Sequence, residues 1–130
     1  MLKVIEVHPA RDARGEYLVL QNQGSVSVDL RGWALCTVAY LQGDADQRAN
    51  EMYVFREEAN IRPYTRVVLF SGHGEDGWQE TIDGRQAYCA YWKRDRGIWK
   101  AGEQVYLLHV AASRMVPGAA LADKTFVGSV

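Results

Sequence analysis

Apolar residues recur at every second position in several short blocks of the chain, and each block is closed by Gly, Pro, Asn or Asp. That spacing marks half-buried strands joined by turns, and no long helix is visible. The blocks predict strands over Leu2 to Val7, Glu16 to Gln21, Val26 to Leu30, Trp33 to Tyr40, Met52 to Phe55, Arg66 to Phe70, Trp78 to Ile82, Arg85 to Trp92 and Gln104 to Val110. Asp83-Gly84 between two extended runs predicts a hairpin, because both turn positions tolerate positive φ. Gly43 to Glu51 is polar and reads as a loop with at most a short helical turn, and the glycines within Ser71 to Gly77 exclude regular structure there. Ala111 to Ala122, carrying Pro117 and Gly118, reads as a loop, with Thr125 to Val130 as a last strand. About eight to ten short, mainly antiparallel strands, with no repeat or linker, predict one all-β domain built as a sandwich or barrel.

Trp33, Leu35 and Thr37 alternate onto one face of their block. With Val105 and Leu107 from a later strand, Trp33 and Leu35 are the expected structural core, interdigitating between two sheets about 10 Å apart. Trp33→Ala is expected to cost several kcal/mol and Lys93→Ala little. Gly32 is placed to turn the chain just before that strand, and Asn22 to bond nearby backbone in a turn.

Glu16 to Asn22 reads Glu-Tyr-Leu-Val-Leu-Gln-Asn and Val28 to Leu35 reads Val-Asp-Leu-Arg-Gly-Trp-Ala-Leu. Both resemble landmarks of the lamin tail domain, the immunoglobulin-like β-sandwich of nuclear lamins and of many bacterial proteins. Tyr53 to Phe55, Ile61 to Pro63 and Trp99 to Leu107 resemble its later landmarks in the right order, so the likeness spans about residues 2 to 110. It implies a bacterial-type stand-alone member with an immunoglobulin-like fold. Val19 stands where that family has a second glutamate, and Tyr64 where a turn glycine is usual. The Trp78 to Trp92 hairpin is longer and more aromatic than the family's connection, so it reads as an addition to the sandwich.

A net charge of −1 over 130 residues argues against a chain that mainly coats nucleic acid or an anionic membrane, both of which need a cationic field. No apolar run approaches the roughly 20 residues that cross a bilayer, and the first residues lack the apolar block of a signal peptide, so a cytoplasmic location is the expectation. The two cysteines make no disulfide framework. Cys36 sits among apolar neighbours and reads as an inert core thiol, and Cys89 is undecided.

Gly72-His73-Gly74-Glu75-Asp76-Gly77 matches G-x-G-x-x-G directly after a strand, but a dinucleotide site also needs a helix to open there and no acidic repulsion, so a glycine-rich turn is the better reading. His73, Glu75 and Asp76 are suitable metal donors without a metal-site spacing, and Asp44 and Asp46 lack the glycine and closing glutamate of a calcium loop. His109 shares a face with Val105 and reads as a buried, hydrogen-bonded core histidine. No catalytic motif occurs, so neither an enzyme nor a cofactor nor a resident metal is expected.

The compositional anomaly lies at Tyr88 to Lys100. Arg85, Lys93, Arg94, Arg96 and Lys100 against Asp95 give a local +4, interleaved with aromatic rings, beside the −4 of Glu75, Asp76, Glu80 and Asp83. The two hairpin strands could neutralise each other across the ladder, or basic and aromatic groups could hold a nucleic acid. Tyr91, Trp92, Lys93, Arg94, Arg96 and Trp99 form the expected contact surface, with Tyr91 to Arg96 as an exposed tip. The sequence expectation is a non-catalytic interaction module for a protein partner or its own copy. Nucleic-acid binding through residues 88–100 is the alternative, and a metal-dependent enzyme using the His73 loop stands last.

Overall fold

Alternation along the second strand sends Leu18 and Leu20 inward while Tyr17, Val19 and Gln21 face the other way, and the same rule sorts Val67 and Leu69 from Arg66, Val68 and Phe70. In a computed structural model that describes residues 1–43 and 50–110, these blocks form ten strands. They are β1 (Leu2–His8), β2 (Tyr17–Asn22), β3 (Val28–Asp29), β4 (Trp33–Thr37), β5 (Met52–Val54), β6 (Asn60–Ile61), β7 (Arg66–Phe70), β8 (Gly77–Glu80), β9 (Gln86–Tyr91) and β10 (Val105–His109). A five-stranded sheet runs β1-β2-β7-β9-β8, a three-stranded sheet runs β10-β4-β5, and β3 pairs with β6. The protein is therefore mostly strands among the described residues, with almost no helix beyond a 3-10 turn (Ala13–Gly15) and a five-residue helix α1 (Val38–Gln42). No described helix is long and apolar enough to cross a membrane.

One cluster of buried side chains joins the sheets. Leu18, Leu20, Val67, Leu69, Tyr88 and Ala90 come from the larger sheet, Leu35 from β4 and Ile61 from β6. Each fully buried leucine or isoleucine contributes about 1.5–3 kcal/mol by leaving water.

Several expectations are corrected. The strand predicted over Trp33 to Tyr40 stops at Thr37, whose Oγ1 accepts the Tyr40 N–H at 3.4 Å and so caps α1. Val105 and Leu107 do not face Leu35 from the opposite sheet. β10 pairs with β4 in one sheet, Val105 beside Thr37 and Leu107 beside Leu35, so these residues are lateral neighbours contributing to one layer. Leu35 is fully buried, whereas Trp33, Val105 and Leu107 are half-buried. His109 is exposed rather than buried, because β10 reaches its end there, and its ring stacks on Trp33 at 4.1 Å and 5°. Asp44, Asp46 and the loop and last strand expected in 111–130 lie outside the described residues.

The hairpin is no addition to a sandwich. β8 and β9 are antiparallel, but β9 also pairs with β7 in parallel, Val67 beside Tyr88 and Leu69 beside Ala90, so the hairpin supplies two of the five strands of the large sheet. Insertion next to β7 is what buries Ala87, Tyr88, Cys89 and Ala90. The short β6 was unforeseen, because two residues are too few for an alternation to show.

Candidate functional site

The six residues singled out as a contact surface scatter. Their segment continues β9 past its end and lies along the chain after β7, the amides of Trp92, Lys93 and Arg94 donating to the carbonyls of Phe70, Gly72 and Ser71 at 2.8–2.9 Å. It is not the hairpin tip, which is the Thr81 to Arg85 turn at the far end of β8 and β9. Trp99 is buried at 5% exposure and leaves the candidate surface. Trp92 is half-buried, 5.7 Å from Tyr53 and 5.8 Å from Trp99, with the Arg94 guanidinium 5.1 Å over its ring. Arg94 is held by the Asn50 carbonyl at 2.6 Å, and Tyr91 stacks on Phe70 at 4.9 Å. Lys93 and Arg96 remain exposed.

Neutralisation across the ladder fails as well. β8 and β9 set Trp78 against Tyr88, Gln79 against Ala87 and Glu80 against Gln86, so no opposite charges face each other there. Asp83 and Arg85 meet at 3.9 Å within the turn, and Asp76 accepts the Tyr91 backbone N–H at 2.8 Å.

The glycine-rich loop after β7 opens strand β8 and no helix, which removes the geometry a pyrophosphate needs. His73 sits 3.1 Å from Asp95, both exposed, and among the described residues no three of His, Cys, Asp and Glu gather as metal ligands. Cys36 and Cys89 are both buried and free, and burial pushes both thiols up from their ordinary value, away from the thiolate a nucleophile needs.

Glu16 is where the sequence reading looked only for a strand start. Its carboxylate is fully buried, and Oε1 accepts from Ser71 Oγ at 2.5 Å, the Ile98 N–H at 2.8 Å and the Trp99 N–H at 3.3 Å, while Oε2 accepts from the Ala10 N–H at 3.2 Å. A buried charge is tolerated only when bonded in this way. Gly97 makes the approach feasible, since a β-carbon there would collide with the Ala10 carbonyl and the Glu16 carboxylate. Asn22 is a second fully buried polar hub. Its Nδ2 donates to the carbonyls of Val26 and Ile61, both at 2.9 Å, and its Oδ1 accepts from the Gly24 N–H at 3.0 Å and the amino terminus at 2.8 Å.

Two concave sites stand out among the described residues, the larger away from the expected contact residues and the smaller lined in part by Tyr91, Trp92 and Lys93. The larger, about 740 Å³, is a groove between the chain around β6 and the β8–β9 hairpin, walled by Arg62, Tyr64, Arg66, Trp78 and Arg85. Arg62-Pro63-Tyr64-Thr65 closes a turn through the Thr65 N–H and the Arg62 carbonyl at 3.1 Å, with Pro63 leading and Tyr64 at φ +66°. That is the type II arrangement, whose third position favours glycine. Tyr64 is nonetheless 70% exposed and Trp78 45% exposed, both on the groove. Arg62 and Arg66 enter no ion pair among the described residues, whereas Glu58 pairs with Arg31 at 3.0 Å and Asp83 with Arg85.

The smaller cavity, about 350 Å³, is lined by Tyr53, Glu57, Asp76, Tyr88, Trp92 and Lys93 among others. Tyr88 donates its hydroxyl to Glu57. Burial, reinforced by Asp76 and Glu57, pushes the Tyr53 phenol from 10.0 up to about 12, and burial with the Glu57 hydrogen bond pushes Tyr88 up as well. A phenol whose pKa is higher in the folded chain keeps its proton longer there, so this part of the stability is complete below pH 10 and is lost as pH rises through 10 to about 12. Urea midpoints measured at about pH 9 and about pH 11 should therefore fall with pH, and Tyr88→Phe should fall less steeply.

No protein-family model matches the chain, and no curated protein matches it.

Proposed function

We propose that the chain is a non-catalytic binding module, an immunoglobulin-like sandwich of the lamin-tail kind, that takes an extended acidic segment of a partner protein into the groove beside β8. The shared core of the two larger sheets and the ordered run of landmark residues support the fold reading. The binding reading is carried by Tyr64. A non-glycine residue at positive φ costs roughly 1–2 kcal/mol, and this one is spent on an exposed ring that completes the groove wall with Trp78. Tyr, Trp and Arg are the residue types that dominate binding hot spots, and two arginines with no ion pair among the described residues favour a negatively charged occupant. Among the described residues β8 is an edge strand, with its outer backbone groups open to an added strand.

Tyr64→Gly separates the two roles of this position. It relieves the backbone strain and should raise stability by about 0.5–1 kcal/mol after the extra freedom of glycine in the unfolded chain is subtracted. It should at the same time weaken binding of a peptide that alternates glutamate with valine, followed by amide shifts along β8 and residues 62–66. Arg66→Ala should weaken the same peptide without stabilising the fold. Unchanged peptide affinity in Tyr64→Gly would remove the groove from consideration. A single-stranded oligonucleotide binding with steep salt dependence would put the segment 88–100 in its place, and a concentration-dependent dimer with β8 protected would make the occupant a second copy.

A further inference from the structure

The smaller cavity has walls of a different chemistry from the groove. Tyr53, Tyr88 and Trp92 supply aromatic surface, and Glu57 and Asp76 supply negative charge. Each carboxylate spends one oxygen inside the protein, Glu57 Oε2 on the Tyr88 hydroxyl and Asp76 Oδ1 on the Tyr91 N–H, and the second oxygen of each enters no hydrogen bond among the described residues. The Tyr53 hydroxyl is likewise without a hydrogen-bond partner among the described residues. Trp92 already carries one cation, the Arg94 guanidinium at 5.1 Å, and Arg94 itself is not part of the cavity lining.

We propose that this cavity binds an organic cation of the alkylammonium class, seated against the rings of Trp92 and Tyr53 and facing the carboxylates of Glu57 and Asp76. The aromatic walls favour a bulky, weakly hydrated cation through the negative faces of the rings. A hard metal ion is poorly served, since it needs six or more oxygen ligands and the lining offers two carboxylates among rings. An anion would meet those same carboxylates. Burial is the first cause of the upward push on both phenols and the carboxylates of Glu57 and Asp76 add to it, while Arg56 and Lys93 also line the cavity. Both cationic side chains are exposed and can turn to solvent. At about 350 Å³ the space lies at the small end of ligand pockets, suited to a head group rather than a large molecule. A free amine and the methylated lysine of a partner protein present the same chemistry.

The test is a titration of the intact chain with tetramethylammonium chloride, and separately with a short peptide carrying trimethyllysine, read on the indole resonance of Trp92 and the ring resonances of Tyr53 and Tyr88. Sodium chloride at matched ionic strength is the control. Saturable shifts confined to these rings are expected. Saturation by the free cation assigns a small-molecule amine, and saturation by the peptide alone assigns a lysine side chain. Glu57→Gln with Asp76→Asn keeps both internal hydrogen-bond acceptors, so the fold should persist by its thermal midpoint while affinity falls about tenfold. Lys93→Ala removes a repelling charge and should tighten binding by about two- to fivefold. Linear shifts that sodium chloride reproduces would overturn the proposal, as would equal affinity in the double variant and the wild type. If the double variant unfolds, Trp92→Phe decides, because a weaker ring face must weaken a cation held by it.

Discussion

Glu16→Ala is expected to be the most damaging single substitution among those discussed, lowering stability by about 4 kcal/mol or more in urea denaturation. The carboxylate is fully buried and receives Ser71 Oγ and the backbone amides of Ala10, Ile98 and Trp99. Alanine leaves these donors out of water without an acceptor, and each orphaned group costs about 1–3 kcal/mol. Against a total stability of about 5–15 kcal/mol, that loss brings the chain close to unfolding at room temperature. Glu16→Gln keeps one acceptor oxygen but turns an NH2 group toward donors, so an intermediate loss is expected. A midpoint for Glu16→Ala within error of the wild type would show that the carboxylate does not hold these segments together.

Trp99→Ala is expected to cost about 3–5 kcal/mol, the range of aromatic truncations in a core. Trp99 is 5% exposed, belongs to the central cluster and packs against Trp92 at 5.8 Å. Trp33→Ala should cost less than half as much, because Trp33 is half-buried and its ring rests on the exposed His109. The order of the two tryptophans is thus the reverse of the sequence expectation. Trp99→Phe should recover most of the loss, since it keeps a ring and deletes an indole N–H that has no acceptor among the described residues. Equal midpoints for Trp99→Ala and Trp33→Ala would contradict the placement of the core.

What could be read from the chain alone follows from the range of each interaction. Leu18, Leu20, Val67 and Leu69 announced their strands because alternation is local, and Asp83-Gly84 announced its turn for the same reason. The parallel pairing of β7 with β9 could not be foreseen, since nothing in either strand records which neighbour it will meet. That pairing is what withdrew Tyr88 from the surface expected at residues 88–100. Glu16 looked like any strand-initiating polar residue, because its partners lie 55 to 83 positions away apart from Ala10. Tyr64 was the one visible clue to the groove. A bulky residue after Pro63, where a turn wants glycine, is a local departure that position alone discloses.

The two sealed cysteines give the molecule an internal pair of reporters. Cys36 lies in the three-stranded sheet and Cys89 in the five-stranded sheet, so each thiol meets a labelling reagent only when its own sheet opens. Comparing their labelling rates under native conditions distinguishes sheets that separate independently from sheets that come apart in one cooperative event.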